Sequence, residues 1–203
     1  MNERGMIFNA EMVRAILDGR KTQTRRPVKF PLIDKNMGCE LAGNELAGEL
    51  VAHNYWNSPY GKPGDRIWVR ETFRVHSRAT DVATLVYRAS VRNSWTEQTH
   101  RVPIAVCDKP ATPEKWTPSI HMPRWASRIL LEITDVRVER LRDLSEEDAK
   151  SEGITPPAGG VLPGWEYRIN FRDLWMDIYG TDSWEANPWV WVIEFKRVEG
   201  AAL

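Results

Sequence analysis

The stretch ILDGRKTQTRRPVKF, residues 16–30, gathers five cationic side chains around two threonines. Ammonium and guanidinium groups at this density can form a cleft that binds an anionic ligand such as a phosphate. They can also form a solvated charged turn in which the threonines merely favour an extended backbone. Residue types alone favour the solvated turn, so the role of this basic run depends on the elements that position it.

The overall charge limits what the basic run can belong to. In 203 residues, 28 lysines and arginines balance 28 aspartates and glutamates. This balance excludes a globally cationic nucleic-acid-binding surface, although a local basic cleft stays open. The ten tryptophans are mostly expected in the core, and a few remain candidates for stacking on bases.

Cysteine and histidine usage gives no sign of a metal site or a disulfide framework. Cys39 and Cys107 lie far apart without metal-ligand spacing, and the four histidines are scattered. We therefore predict no metal, no cofactor and a reducing cytoplasmic setting. The charged N-terminus resembles no signal peptide and no window reaches the length of a membrane span, so no membrane partner is expected.

A helix and a strand are predicted on either side of the start of the basic run. Asn9 is a good N-cap for a helix over about 10–18, and Gly19 stands where a helix C-cap is favoured. The next residues are extended in character, which predicts a strand over 21–26 that Pro27 ends.

The middle and the end of the chain are rich in strand patterns. Large apolar residues alternate in PWVWVIEF, so the closing strand is expected to bury Trp191 and Phe195 on one face, with Trp189 and Ile193 beside them. All the predicted strands are expected to form one curved sheet or barrel. Their ranges are 21–26, 66–73, 84–89, 127–140 and 188–196.

Two further helices and two irregular stretches complete the pattern. Ser145 and Gly153 bracket a short helix over 145–151, and a longer helix is predicted over 165–179. The stretches 31–62 and 91–122 carry little periodicity and several turn residues, so they are interpreted as insertions. The prediction is an α+β fold in one domain, residues 1–203.

The order of ILDGRKTQTRR, GDRIWVR, LSEEDAKSEGI and PWVWVIEF resembles the ASCH domain family. This resemblance, from about Met6 to Arg197, implies a small PUA-like β-barrel with flanking helices. Typical members are about half as long and lack 31–62 and 91–122. The phrases GDRIWVRETF and HMPRWASRI are similar to larger members encoded by phages and prophages, and the family is usually placed among RNA-associated and modified-base-associated proteins.

The segment GRKTQT resembles the signature of one ASCH branch, the small bacterial N4-acetylcytidine amidohydrolases. The resemblance implies that Lys21 and Thr24 are catalytic, and that Glu152 supplies the third catalytic group. Thr24 would attack the acyl carbon, Lys21 would take its proton, and Glu152 would protonate the leaving N4 nitrogen.

This chemistry sets two physical conditions on the basic run. The pKa of Lys21 must fall, through burial or through the charges of Arg20, Arg25 and Arg26. Side chains three positions apart face opposite ways on a regular strand, so Lys21 is expected on the turn after Gly19, with Thr24 at the start of the strand.

Other polar and aromatic residues are candidates for holding a base or phosphate. Arg70 and Glu71, which are adjacent on the strand GDRIWVRETF, form either an ion pair at the core edge or part of a cleft. Trp125 of MPRWASR either stacks on a base or, as its residue type favours, packs in the core. The predicted substrate-binding residues are Arg26, Arg70, Glu71, Arg124, Trp125 and Arg128.

Two functions follow from this pattern. The leading hypothesis is hydrolysis of an acyl amide on a nucleobase or nucleoside in a cationic cleft. The alternative is a non-catalytic protein of phage or prophage origin that binds RNA or a modified base. Catalysis requires Lys21, Thr24 and Glu152 to converge, whereas binding requires only exposed cations and a stacking ring. The sequence leaves the oligomeric state open.

Overall fold

The computed structural model describes residues 1–90, 99–156 and 164–198. In these ranges the protein is a mixed α+β fold, which confirms the α+β part of the predicted fold class. The α-helices are α1 (Ala10–Leu17), α2 (Gly43–Val51), α3 (Glu146–Ser151) and α4 (Glu166–Tyr179). The strands are β1 (Glu3–Ile7), β2 (Gln23–Pro27), β3 (Arg66–Arg70), β4 (Phe73–Arg78), β5 (Val82–Tyr87), β6 (Thr99–Pro103), β7 (Leu130–Arg140) and β8 (Trp189–Arg197).

The strands form two sheets. The order of the first sheet is β1-β3-β7-β8-β2, with β1 parallel to β3 and the pairs β3–β7 and β2–β8 antiparallel. The order of the second sheet is β4-β5-β6, and both of its pairs are antiparallel. Neither sheet closes on itself, so the predicted single curved sheet or closed barrel is wrong.

The physical reason for the second sheet lies at the end of β3. The predicted strand 66–73 divides there, because β3 ends at Arg70 and the chain starts a new strand at Phe73. β4 then pairs with β5, which in turn pairs with β6. The strand predicted over 84–89 overlaps β5 and therefore joins a separate sheet.

The chain divides into two compact units. Unit 1 comprises Met1–Asp18, Arg66–Glu132 and Arg197–Leu203, and unit 2 comprises Gly19–Asp65 and Ile133–Lys196. The description of the chain as a single domain, residues 1–203, stays a prediction. Each unit is described by itself below.

The core of unit 1 forms on one face of the second sheet. Alternate residues of β4 and β5, including Phe73, Val75, Leu85 and Tyr87, are buried together. Met122 joins them from the segment before β7. This segment contacts β4 through backbone hydrogen bonds between Phe73 and Thr117.

In unit 2, apolar side chains cover both faces of β8. Trp191 and Phe195 are buried, as predicted, but so are Val190 and Val192. The two valines pack in a cluster with Phe171 and other residues of α3 and α4. The sequence predicted burial on one face of β8, and the structure adds burial on the opposite face at Val190 and Val192.

The predicted helices lie where their caps place them. The Asn9 side chain accepts a hydrogen bond from the Met12 backbone N–H, and the Ser145 and Asp148 side chains form a reciprocal capping box at α3. Gly19 and Gly153 follow the two helices with φ of 73° and 82°. The three predicted helix ranges are confirmed to within one residue at each end.

The two predicted insertions contain regular structure. α2 lies within 31–62 and buries Leu46 and Leu50, so the irregular character predicted for that stretch is wrong. β6 lies within 91–122, although residues 91–98 of that stretch lie outside the described residues. In the described part of the chain, no helix has the length and apolar character needed to cross a membrane.

Candidate functional site

The basic run enters unit 2 as an extended segment that contacts the end of α3. Lys21 forms an isolated antiparallel β-bridge with Glu152. Thr22 donates its backbone N–H to the Ser151 carbonyl at 2.8 Å, and its own carbonyl accepts from Phe195 at 2.8 Å. The expected position of Lys21 on a turn is therefore wrong, because the end of α3 provides a backbone partner for the extended chain.

The side chains of Lys21 and Glu152 form a buried ion pair. The Lys21 Nζ donates to Glu152 Oε2 at 2.7 Å and to the Glu152 backbone carbonyl at 2.9 Å. The two residues are only 2% and 6% exposed. Buried charges are tolerated when each is paired and hydrogen-bonded, and this pair meets that requirement.

Arg25 holds the other oxygen of the same carboxylate. Its guanidinium lies 3.2 Å from Glu152 Oε1 and 2.6 Å from Glu139 Oε1, and Asp148 Oδ1 lies 3.5 Å away. The Glu152 carboxylate thus lies between two cations. Sequence reasoning named Arg25 only as a charge that lowers the pKa of Lys21, although its position four residues after Lys21 places both on one strand face.

Further polar side chains extend this arrangement towards solvent. Gln23 donates to Asp148 Oδ1 at 3.1 Å and to Glu194 Oε1 at 3.2 Å, and it accepts a short hydrogen bond from Arg25. Arg137 contacts acidic groups from the more exposed side. We call this set the polar network; its members are Lys21, Gln23, Arg25, Arg137, Glu139, Asp148, Glu152 and Glu194.

The environment of the network shifts three pKa values, those of Lys21, Asp148 and Arg137. Burial acts to lower the pKa of Arg137, but its carboxylate partners outweigh burial and raise it. Burial lowers the pKa of Lys21 more than the Glu152 carboxylate raises it, and the charges of Arg26 and Arg25 lower it further. Burial acts to raise the pKa of Asp148, but hydrogen bonds from Ser145 and Gln23, together with the charge of Arg25, outweigh it and bring the pKa to about 2. The direction for Lys21 is the one that general-base chemistry requires.

Thr24 is buried in β2 but takes no part in this network. Its register partner is Ile193 of β8, and it is 1% exposed. Strand alternation directs its side chain to the face opposite Lys21 and Arg25. Within the described residues, no hydrogen bond joins its hydroxyl to Lys21 or Glu152. The structure therefore brings two of the three predicted catalytic residues together.

Arg26 shares the strand face of Thr24 and influences a tyrosine that the sequence did not indicate. Burial raises the pKa of Tyr60, and the charge of Arg26 opposes this rise. The Tyr60 ring packs edge-on against Trp191, with 5.9 Å between ring centroids. Tyr60 lies within the stretch 31–62, where the sequence offered no periodic signal for its position.

The other predicted binding residues belong to unit 1. Arg128 forms a two-pronged ion pair with the buried Glu71 at 2.9 and 3.0 Å, and it donates to Ser90 Oγ at 2.9 Å. Its guanidinium lies 4.1 Å from the centroid of the Tyr87 ring. Burial raises the pKa of Glu71 against the opposing effect of Arg128. Glu71 therefore forms a buried ion pair with Arg128, whereas the sequence predicted either a pair with its strand neighbour Arg70 or a place in a cleft.

Three predicted residues lie nearer the surface of unit 1. Trp125 is half-buried and packs edge-on against Phe73 at 6.3 Å, which agrees with core packing. Arg124 pairs with Glu3 at 2.9 Å. Arg70 donates to the Ile120 carbonyl through a short hydrogen bond. These residues lie in unit 1, whereas Lys21, Thr24, Arg26 and Glu152 lie in unit 2, so a single shared cleft stays a prediction.

Neither a metal site in the described residues nor a known relative indicates a function for this chain. Among residues 1–90, 99–156 and 164–198, no three His, Cys, Asp or Glu side chains converge as metal ligands. No family model, curated protein or solved structure matches this chain. The candidate site therefore rests on the geometry of the polar network.

Proposed function

We propose that this chain is an ASCH-type protein that hydrolyses an acyl amide on a nucleobase or nucleoside, of the N4-acetylcytidine kind, at the polar network. One observation carries the proposal. Lys21 and Glu152, which the amidohydrolase signature assigns to catalysis, lie 131 residues apart in sequence and 2.7 Å apart in space. The PUA-like assignment belongs to this proposal and rests on the order of the segments.

Lys21 and Glu152 have different roles in the proposed reaction. Neutral Lys21 takes a proton from the nucleophile as it attacks the acyl carbon. That proton passes to Glu152 across their 2.7 Å hydrogen bond, and Glu152 delivers it to the leaving N4 nitrogen as the carbon–nitrogen bond breaks. The products are the free amine and, after water releases the acyl group, a carboxylate. The lowered pKa of Lys21 supports this role because it increases the neutral fraction at a given pH.

The geometry and the signature differ on which group is the nucleophile. The signature implies Thr24, whose hydroxyl must reach hydrogen-bond distance of Lys21 for attack. Strand alternation in β2 opposes that approach. A water molecule activated by Lys21 is the other nucleophile that the arrangement allows.

The test is incubation of the protein with a panel of N4-acylated cytosines and cytidines, followed by absorbance. Lys21→Arg keeps the charge but removes a usable base, so turnover should be lost while ligand binding persists. Lys62→Arg is the control, because Lys62 is exposed and lies outside the polar network. A wild-type protein that is inert toward every acylated base would contradict the proposal, as would full activity in Lys21→Arg.

A second candidate is a non-catalytic protein that binds RNA or a modified base. The position of Thr24 on the strand face opposite Lys21 favours it, because binding needs no convergence of the three residues. Calorimetry with nucleosides and RNA, set beside the acyl-amide assay, separates the two candidates. The free thiols of Cys39 and Cys107 support a reducing cytoplasmic setting for either function.

A further inference from the structure

A second concave site lies in unit 1, where the segment after β6 folds back against β4. The Thr112 N–H donates to the Val75 carbonyl at 2.9 Å, and the Thr117 N–H donates to the Phe73 carbonyl at 2.8 Å. These bonds fix both ends of the segment 112–117 on β4. They leave a groove of about 350 Å³, which we call the Trp116 groove; its lining is Val75, Lys109, Pro110, Thr112, Lys115, Trp116, Thr117, Pro118 and His121.

The charged groups of the Trp116 groove are all suited to an anion. Its lining contributes the two ammonium groups of Lys109 and Lys115, and the described lining holds no aspartate or glutamate. Neither lysine forms an ion pair with a carboxylate of the described residues. An anion bound there would gain attraction without displacing an internal partner.

An aromatic ring lies in the same groove. Trp116 is half-buried, and the Arg74 guanidinium lies over its ring at 4.6 Å from the centroid. This cation–π contact holds the indole in place against β4. The side chains of Thr112, Thr117 and His121 add hydrogen-bonding groups around the ring. A planar heterocycle could stack on the indole and use these groups.

We propose that the Trp116 groove binds a nucleotide, with its base against Trp116 and its phosphate at Lys109 and Lys115. Cations beside an aromatic ring are the combination that recognises a base together with its phosphate, and the groove volume lies in the range of small-ligand sites. The nucleotide comes either from a free pool or from a single-stranded nucleic acid. None of the groove residues belongs to the polar network, so the inference goes beyond the proposed hydrolysis.

The test uses the full chain and three probes: a nucleoside monophosphate, a fluorescent single-stranded oligonucleotide and inorganic phosphate. Calorimetry and fluorescence polarisation at low salt should show saturable binding of the nucleotide or the oligonucleotide. Lys109→Ala combined with Lys115→Ala should weaken it at least tenfold and reduce the salt dependence. Lys35→Ala combined with Lys62→Ala removes two exposed lysines outside both the groove and the basic run and should change little.

The Trp116 ring is tested by two variants. Trp116→Leu should weaken nucleotide binding about tenfold, the lower range for loss of one base-stacking contact, whereas Trp116→Phe keeps a ring and should recover most of the affinity. If the mononucleotide binds by itself, the ligand comes from the free nucleotide pool. If only the oligonucleotide binds, the ligand is a single-stranded nucleic acid.

Three outcomes would overturn the inference. The first is the absence of saturable binding of either nucleotide probe. The second is an affinity for inorganic phosphate equal to that for the nucleotide, with no effect of Trp116→Leu. The third is unchanged nucleotide binding in the Lys109→Ala/Lys115→Ala variant. Circular dichroism of each variant identifies loss of folding, and the conservative Trp116→Phe variant keeps the ring test valid if the leucine variant is unstable. The acyl-amide assay is scored separately, so failure of the proposed hydrolysis leaves this result readable.

Discussion

The ammonium of Lys21 lies 2.7 Å from the carboxylate of Glu152, and the Arg25 guanidinium holds the second oxygen of that carboxylate at 3.2 Å. One buried acid therefore contacts two buried cations at the point where β2 meets the end of α3, and Arg25 has Glu139 as a further partner. This relationship makes the energetic roles of the three residues unequal. Glu152 has two strong partners, whereas in the described part of the chain Glu152 is the only carboxylate that pairs with Lys21.

Stability measurements should reveal this inequality. Glu152→Gln leaves Lys21 buried without a carboxylate, and we expect the free energy of unfolding to fall by about 3 kcal/mol or more. Lys21→Met should cost less, because Arg25 still pairs with Glu152. Urea unfolding measures both, and Glu185→Gln, in an exposed pair with Arg142, should leave the free energy of unfolding nearly unchanged. A smaller loss in Glu152→Gln than in Lys21→Met would contradict this assignment.

The lowered pKa of Lys21 predicts a change at alkaline pH. Its pKa lies below the ordinary 10.5, because burial outweighs the attraction of Glu152. Between the lowered value and 10.5 the unfolded chain binds more protons, so the contribution of Lys21 makes stability rise with pH in that window. Lys21→Met should lose this rise.

The pKa of Lys21 can be measured directly. Arg26→Gln removes a charge that lowers the pKa of Lys21, so the titration midpoint should move to higher pH. Carbon-13 resonances of the Lys21 side chain measure the midpoint, and the pH at which any amidohydrolase activity rises should move with it. An unmoved midpoint would rule out the electrostatic influence of Arg26.

Asp148 predicts the behaviour of the protein in acid. Burial acts to raise its pKa, but hydrogen bonds from Ser145 and Gln23 and the charge of Arg25 together lower it from 3.8 to about 2. The stability that the ionised carboxylate contributes is present above 3.8 and is lost as the pH falls towards 2. Asp148→Asn should therefore unfold with a shallower dependence on pH in this window, measured by circular dichroism. An unchanged slope would show that other carboxylates carry the acid response.

Thr24 separates catalysis from binding. If its hydroxyl attacks the acyl group, Thr24→Val should preserve folding and ligand affinity while turnover falls by about 10⁴ or more. If water is the nucleophile, turnover should persist in the variant. If the protein is a binder, affinity should fall by only about 1 kcal/mol. Calorimetry and the acylcytidine assay on one preparation measure both quantities.

Two glycines of α2 provide a matched test of packing in unit 2. A Cβ at Gly43 would overlap the indole of Trp189, whereas a Cβ at Gly48 would meet nothing within 4 Å. Gly43→Ala should destabilise the protein by about 1–3 kcal/mol. Gly48→Ala should stabilise it by about 0.5–1 kcal/mol because alanine favours a helix interior. Thermal unfolding that ranks the two variants the other way would contradict the contact.

The sequence was sufficient for elements whose signals are local. Asn9 and Ser145 cap their helices through hydrogen bonds that span three residues, and Gly19 ends α1 with a positive φ. The alternation in β8 likewise predicted the burial of Trp191 and Phe195. These outcomes follow from backbone hydrogen bonding and side-chain period within one segment.

Elements that depend on distant partners were not predictable in this way. α2 has two glycines and only Leu46 and Leu50 as buried leucines, so its helical period is weak in the sequence. β1, with the sequence ERGMI, has little apolar alternation and forms by parallel pairing with β3, about sixty residues later. The second sheet arises because the chain after Arg70 finds partners in β5 rather than in β7.

The candidate site shows the same division between local and distant information. The spacing of Lys21, Thr24 and Arg25 already determined that Thr24 faces away from the other two on any regular strand. Only the tertiary structure decided that the strand geometry extends back to Lys21, because the backbone of Glu152 at the end of α3 pairs with it. That pairing buries both charges and places Arg25 beside the same carboxylate. A buried charge requires a partner of opposite charge, and that partner can lie anywhere in the sequence. The partner of Lys21 lies 131 residues away.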